Sequence, residues 1–118
     1  ITLTAEYVSC APEGFQLNIA PSGIRISCGD GAGFFYALGV LVQLAAQAGG
    51  TLPCAEIADE PVLSVRGIML DIGRDKIPSM ETLRRLIDLF ASMRINHLQM
   101  YMEGFSFDYE DFHYLFTN

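Results

Sequence analysis

Apolar and polar positions alternate with period two in two short runs near the start of the chain. Phe15, Leu17 and Ile19 alternate with Gln16 and Asn18, and Ile24, Ile26 and Cys28 alternate with Arg25 and Ser27. Each run predicts a strand with one buried face. Ala20-Pro21-Ser22-Gly23 supplies turn chemistry between them, so the pair reads as a β-hairpin. Leu3 to Ser9 is a weaker strand candidate. The period then changes. From about Gly31 to Gln47 the chain is apolar almost all round, with Asp30 placed to cap a helix and Gly49-Gly50 to stop it. Such a helix is expected to lie under the sheet with little surface left to water. Gly33, Ala37 and Gly39 would allow it to approach the strands closely. Leu52 to Ile57 reads as a further strand, and Asp59-Glu60-Pro61 marks a boundary between two halves.

Beyond that boundary the pattern predicts a strand–helix–strand unit. In Arg66-Gly67-Ile68-Met69-Leu70-Asp71-Ile72-Gly73-Arg74 an apolar run is interrupted by charge only at its exit. A strand apolar on both faces suits a parallel sheet covered on both sides. Pro78-Ser79 opens a helix, with Ser79 as its cap and Glu81 in the favourable first turn. Leu83, Leu86, Ile87, Phe90 and Met93 form one apolar stripe along it, which is core packing. Asn96 to Met102 returns as a strand parallel to the first, by the right-handed crossover rule. The fold class is therefore α/β, an α+β domain over residues 1–60 followed by a strand–helix–strand piece over 61–118. Asp71 and Arg74 fall at the carboxyl end of a strand, where α/β folds place their ligand sites. On local sequence alone a structural ion pair is an equally good reading.

Composition narrows the function. Of 118 residues 51% are apolar and 18% charged, enough to bury a core. The net charge of −7 disfavours phosphate backbones and anionic membrane surfaces, so neither nucleic acid nor membrane is an expected partner. The most apolar run, Phe34 to Ala46, is too short to cross a bilayer. Cys10, Cys28 and Cys54 show neither CxxC spacing nor a nearby histidine cluster. Cys28 continues an apolar alternation and reads as a buried free thiol. No cofactor and no metal site is expected, and the cysteines do not fix a compartment.

Residues 56 to about 103 closely resemble the opening of the catalytic domain of family 20 glycoside hydrolases, the β-N-acetylhexosaminidases. The resemblance lies in Glu60-Pro61, the motif from Arg66 to Arg74, the helix after it and Asn96 opening the second strand. A second resemblance agrees with the first. Glu13 to Ile19, Gly23-Ile24-Arg25-Ile26 and Gly33-Phe34-Phe35-Tyr36-Ala37-Leu38 look like the small α+β domain that precedes the barrel in this family. The resemblance implies the start of a TIM (β/α)8 barrel. A whole barrel takes about 250 residues, so the chain looks like a fragment, or a truncated relative, of a larger enzyme.

The implied reaction is hydrolysis of terminal β-linked N-acetylglucosamine or N-acetylgalactosamine, with a glycan as partner. In this family the substrate's own acetamido oxygen attacks the anomeric carbon, assisted by a neighbouring Asp-Glu pair. That pair belongs to the fourth barrel strand, beyond residue 118, so no catalytic residue is assigned. Asp59-Glu60 precedes the first barrel strand, and Glu110-Asp111 follows the wrong one. By resemblance Arg74 binds hydroxyls of the terminal sugar, a task suited to a guanidinium fork. Asp71 helps to hold the site together. Many relatives carry His-x-His-Leu-x-Asp after the second strand, where this chain has Gln99-Met100-Tyr101-Met102-Glu103. Glu103 is taken as the replacement acidic position and as a second substrate-binding residue.

Seven of the thirteen aromatics, Tyr101 and those from Phe105 to Phe116, crowd into the last eighteen residues. They either face a sugar or, the favoured reading, pack on other parts of the barrel. The rival to a hydrolase fragment is a non-catalytic interaction or carbohydrate-binding module. Open sheet edges, and an uncovered face bearing Met69 and Met100, lead us to expect that the isolated chain self-associates or folds its aromatic tail back over that face.

Overall fold

The computed structural model describes residues 2–74 and 77–102. In chain order its elements are β1 (Leu3–Tyr7), β2 (Phe15–Ala20), β3 (Gly23–Cys28), α1 (Gly31–Gln47), β4 (Ala55–Asp59), β5 (Gly67–Asp71), α2 (Met80–Ser92) and β6 (His97–Tyr101). They form two units, Ile1–Ser64 and Val65–Asn118.

The first unit is built on the hairpin. β2 and β3 pair antiparallel with Leu17 opposite Ile26, which puts the alternating apolar residues of both strands on one face. β1 joins β3 in parallel and β4 joins β2 antiparallel, giving the strand order β1-β3-β2-β4. Phe15, Leu17, Ile19, Ile24, Ile26 and Cys28 make the core together with Tyr36 and Ala37 of α1. The other face is polar. A depression on it, about 830 Å³, is lined by Thr4, Glu6, Asn18, Arg25 and Ser27 among others. Hydrogen bonds of 2.9 Å, from Ser27 Oγ to Glu6 and from Asn18 Nδ2 to Glu56, already engage its side chains. It is a solvated sheet face.

Asp30 joins the hairpin to the helix. Its side chain accepts the Gly33 N–H at 2.8 Å, as an N-cap should, and the Glu13 N–H at 2.9 Å. Glu13 sits at φ 61, a left-handed conformation costly for a residue with a Cβ. The bond from its N–H to Asp30 holds it there. These backbone donors, Gly33 first and then Glu13, pull the Asp30 carboxyl below its ordinary range against an opposing effect of burial.

That depression sets the sign of an acid effect. Between the folded value and the unfolded value of about 3.9, the unfolded chain holds a proton that the native chain lacks. Asp30 therefore contributes its full stability above the unfolded value and loses it as pH falls through the folded one. Asp30→Ala is expected to cost about 0.5–2 kcal/mol at neutral pH. In urea melts at a series of pH values, its deficit against wild type should shrink below about pH 4.

Two expectations about α1 are corrected. The helix leaves substantial surface in water, with Phe35 50% and Val42 66% exposed. Its seventeen residues span about 25 Å, whereas six-residue strands reach only about 20 Å, and the helix meets only β2 and β3 closely. Only Gly33, Tyr36 and Ala37 are buried, all toward its first end. Gly39, expected to assist close packing, has nothing within 4 Å of where a Cβ would stand.

In the second unit β5 and β6 pair in parallel, with α2 between them in sequence. Ser79 caps α2 by accepting from the Thr82 N–H, and Glu81 lies in the first turn, bonded to Arg85 one turn on. The two faces of the pair differ in exposure. Ile68, Leu70 and Leu98 are half-buried on one face, whereas on the other Gly67, His97 and Gln99 are exposed and Met69 is 61% exposed. A two-stranded sheet with one helix has only one side to hide. Met100 pairs with Leu70 and so lies on that strand face, itself 47% exposed, and not on the face of Met69 as expected.

The three cysteines are free, Cys28 buried and Cys10 and Cys54 exposed, as the alternation at Cys28 implied. Burial, followed by nearby Cys10 and Asp30, pushes the Cys28 thiol up, away from reactivity. Among the described residues no helix is long and apolar enough to cross a membrane.

Candidate functional site

The two arginines that bracket the β5 motif do different work. Arg66, at its start, donates from Nε to the carbonyl of Arg94 at 2.7 Å, and its own N–H donates to Asn96 Oδ1 at 2.9 Å. The N–H groups of Asn96 and His97 return bonds to the Arg66 carbonyl at 3.0 and 3.3 Å. Arg94 itself stands at φ 60, so the clasp also secures the strained exit from α2. Gly67 fits beside it because a Cβ there would come within 3.1 Å of the His97 ring. This end of the strand pair is structural.

The carboxyl end is different. Asp71 Oδ1 accepts the Gly73 N–H at 2.9 Å, a local turn just past the strand. Its Oδ2 lies 3.7 Å from Arg74 Nε, an ion pair rather than a close hydrogen bond. The Arg74 side chain is 63% exposed and that of Asp71 34%, so the pair contributes little to stability. Ile72, buried, donates its N–H to the Tyr101 carbonyl at 2.9 Å and anchors the segment that carries both charges. The arrangement sets a largely exposed arginine beside a carboxylate at a strand end. A neutral polyhydroxylated ligand suits it, because adjacent hydroxyls accept from a guanidinium fork without supplying charge of their own.

The structure brings Asp71 and Arg74 together as the sequence suggested. It also adds Tyr101, which pairs directly with Asp71. That partnership was hidden in the sequence because it depends on the pairing of strands thirty residues apart. Glu103 and the aromatics from Phe105 to Phe116, with Glu110-Asp111, lie outside the described residues. Asp59 closes β4 opposite Phe15, with Glu60 next in the chain. Among the described residues no group of three or more His, Cys, Asp or Glu side chains is placed to hold a metal ion.

Known proteins match most of the chain. Residues 1–60 match the model for glycosyl hydrolase family 20, domain 2. A β-hexosaminidase of Akkermansia muciniphila is 31% identical over 93 residues, covering 76% of this chain and 19% of its own length. A β-hexosaminidase of Vibrio vulnificus is 33% identical over 88 residues, or 75% and 10% of the two chains. Among solved structures, the β-N-acetylhexosaminidase of Bacteroides fragilis is 30% identical with a TM-score of 0.71, covering 83% of this chain and 20% of its own. The exo-β-N-acetylglucosaminidase of Vibrio harveyi, in complex with N-acetylglucosamine, is 28% identical with a TM-score of 0.74, covering 84% and 16%. The chain thus spans less than a quarter of each of these relatives. With half its residues matched by the family's domain model, and a small mixed α/β domain where that model applies, the chain belongs to glycoside hydrolase family 20.

Proposed function

We propose that this chain is part of a β-N-acetylhexosaminidase that removes terminal β-linked N-acetylglucosamine or N-acetylgalactosamine from glycans. In this reading residues 61–118 open its TIM barrel. One observation carries it: β5 and β6 run parallel on either side of α2 in sequence, with Asp71 and Arg74 at the carboxyl end of β5. Barrel enzymes gather their substrate groups at that end. The relative bound to N-acetylglucosamine supports the substrate class.

Hydrolysis then follows the family's substrate-assisted, retaining route. The acetamido oxygen of the bound sugar attacks the anomeric carbon, and the leaving oxygen takes a proton from the Glu of an Asp-Glu pair. The Asp of that pair steadies the acetamido group as it gains positive charge. Water then opens the cyclic intermediate and restores the original configuration. This pair is assigned to a fourth barrel strand outside the 118 residues. The chain's own part is binding: Arg74 donates to hydroxyls of the terminal sugar, and Glu103 accepts from them.

Activity assays test the assignment. The 118-residue polypeptide alone should not hydrolyse an aryl β-N-acetylglucosaminide, whereas a longer protein carrying these residues and the Asp-Glu pair should. Turnover by the short polypeptide that survives repurification would place the catalytic groups inside it and overturn this assignment. A longer protein inactive on both the gluco and galacto substrates would count against the hydrolase reading itself.

A further inference from the structure

The strand pair β5–β6 presents two faces of different chemistry. Ile68 and Leu70 stand beside Leu98 and Met100 on the half-buried face, whereas Gly67, Met69 and Asp71 stand beside His97, Gln99 and Tyr101 on the other. Only the second face offers polar groups to a ligand. At its carboxyl end Asp71 and Tyr101 are direct partners, so their backbones lie about 4.8 Å apart. The Ile72 N–H to Tyr101 carbonyl bond fixes Tyr101 to the same short segment that carries Asp71 and Arg74. The Asp71 carboxylate is already engaged by the Gly73 N–H and by Arg74.

A hexosamine has two kinds of surface, hydroxyls around the ring edge and apolar C–H groups on its faces. A guanidinium fork suits the edge. An aromatic ring suits the face, and a phenol adds one hydroxyl that can donate or accept. We infer that Tyr101 is a further substrate-binding residue beside Arg74, its ring covering a C–H face of the terminal N-acetylhexosamine and its hydroxyl bonding the sugar. This rests on the hydrolase reading above.

The experiment measures kcat and KM for an aryl β-N-acetylglucosaminide in the full-length protein, comparing wild type with Arg74→Ala, Tyr101→Leu and Tyr101→Phe. Tyr101→Leu keeps apolar bulk at the strand end but loses both ring and hydroxyl. It should raise KM about tenfold and leave kcat within about twofold, the signature of lost ground-state binding. Tyr101→Phe keeps the ring and should raise KM about threefold. Wild-type KM in Tyr101→Leu, alongside an impaired Arg74→Ala, overturns the inference and leaves the hydrolase reading intact. So does a fall in kcat and melting temperature with KM unchanged, which would make Tyr101 structural. If Tyr101→Leu does not fold, Tyr101→Phe decides: wild-type KM there also overturns the inference. An inactive wild type defeats the hydrolase reading first, and the role of Tyr101 with it.

Discussion

Arg74→Ala, made in the full-length protein, should lower kcat/KM towards an aryl β-N-acetylglucosaminide by about two to three powers of ten. A charge-assisted hydrogen bond contributes about 1.5–3 kcal/mol, so losing two near the lower end accounts for the fall. Stability should barely change. The side chain is 63% exposed and its link to Asp71 is a 3.7 Å ion pair, a kind of contact that adds about 0–1 kcal/mol. The diagnostic result is therefore a large kinetic loss with an unchanged melting temperature. Arg74→Lys should recover only part of the activity, because an ammonium cannot bridge two adjacent hydroxyls as a fork does. Wild-type efficiency in Arg74→Ala would make Arg74 a surface residue and remove it from the site.

The second large effect belongs to the first unit. At Gly33 an added Cβ would overlap the carbonyl oxygen of Gly14, a clash between two stretches of backbone. Neither can retreat freely. Gly33 donates to Asp30, and the Gly14 carbonyl accepts the Gly29 N–H at 3.3 Å while the Gly14 N–H bonds Ala11 at 2.9 Å. Gly33→Ala should destabilise the unit by about 3 kcal/mol, the upper part of the overpacking range. In a unit of this size that corresponds to a melting point lower by more than about 10 °C. Gly39→Ala is the control, one and a half turns along the same helix with open space around it. It should stabilise by about 0.5–1 kcal/mol. Thermal melts followed by circular dichroism distinguish the two, and equal shifts would mean that α1 does not dock where described.

What the sequence disclosed follows from the range over which each signal acts. The hairpin and both helices were legible because alternation, Asp30, Ser79 and Gly49-Gly50 are local. The parallel partnership of β1 with β3, and β4 joining β2, depend on distant pairing and left no local mark. Exposure of Phe35 and Val42 escaped the apolar pattern, since hydrophobicity records what a helix can bury and not how much sheet is available to bury it. Within the site, Asp71 and Arg74 were visible as charges closing an apolar run. Tyr101 was visible only as one aromatic among many, until its partner on β5 was known. The clasp of Arg66 with Arg94 and Asn96 joins groups about thirty positions apart and could not have been read from either end alone.

That clasp governs chemistry at the opposite end of the strands. It sets which residue of β6 lies against Gly67, and every later partner follows by counting. Inserting or deleting one residue between Arg94 and His97 would turn each β6 side chain to the opposite side. An insertion would set Met100 beside Asp71 in place of Tyr101, and a deletion would set Met102 there. Substitution at positions 99 and 101 can change what this surface recognises and leave its frame intact, whereas a change of length in the preceding loop exchanges the recognition surface for the greasy one. Evolution of the site should therefore proceed by point replacement, with the spacing from Arg94 to Tyr101 held constant.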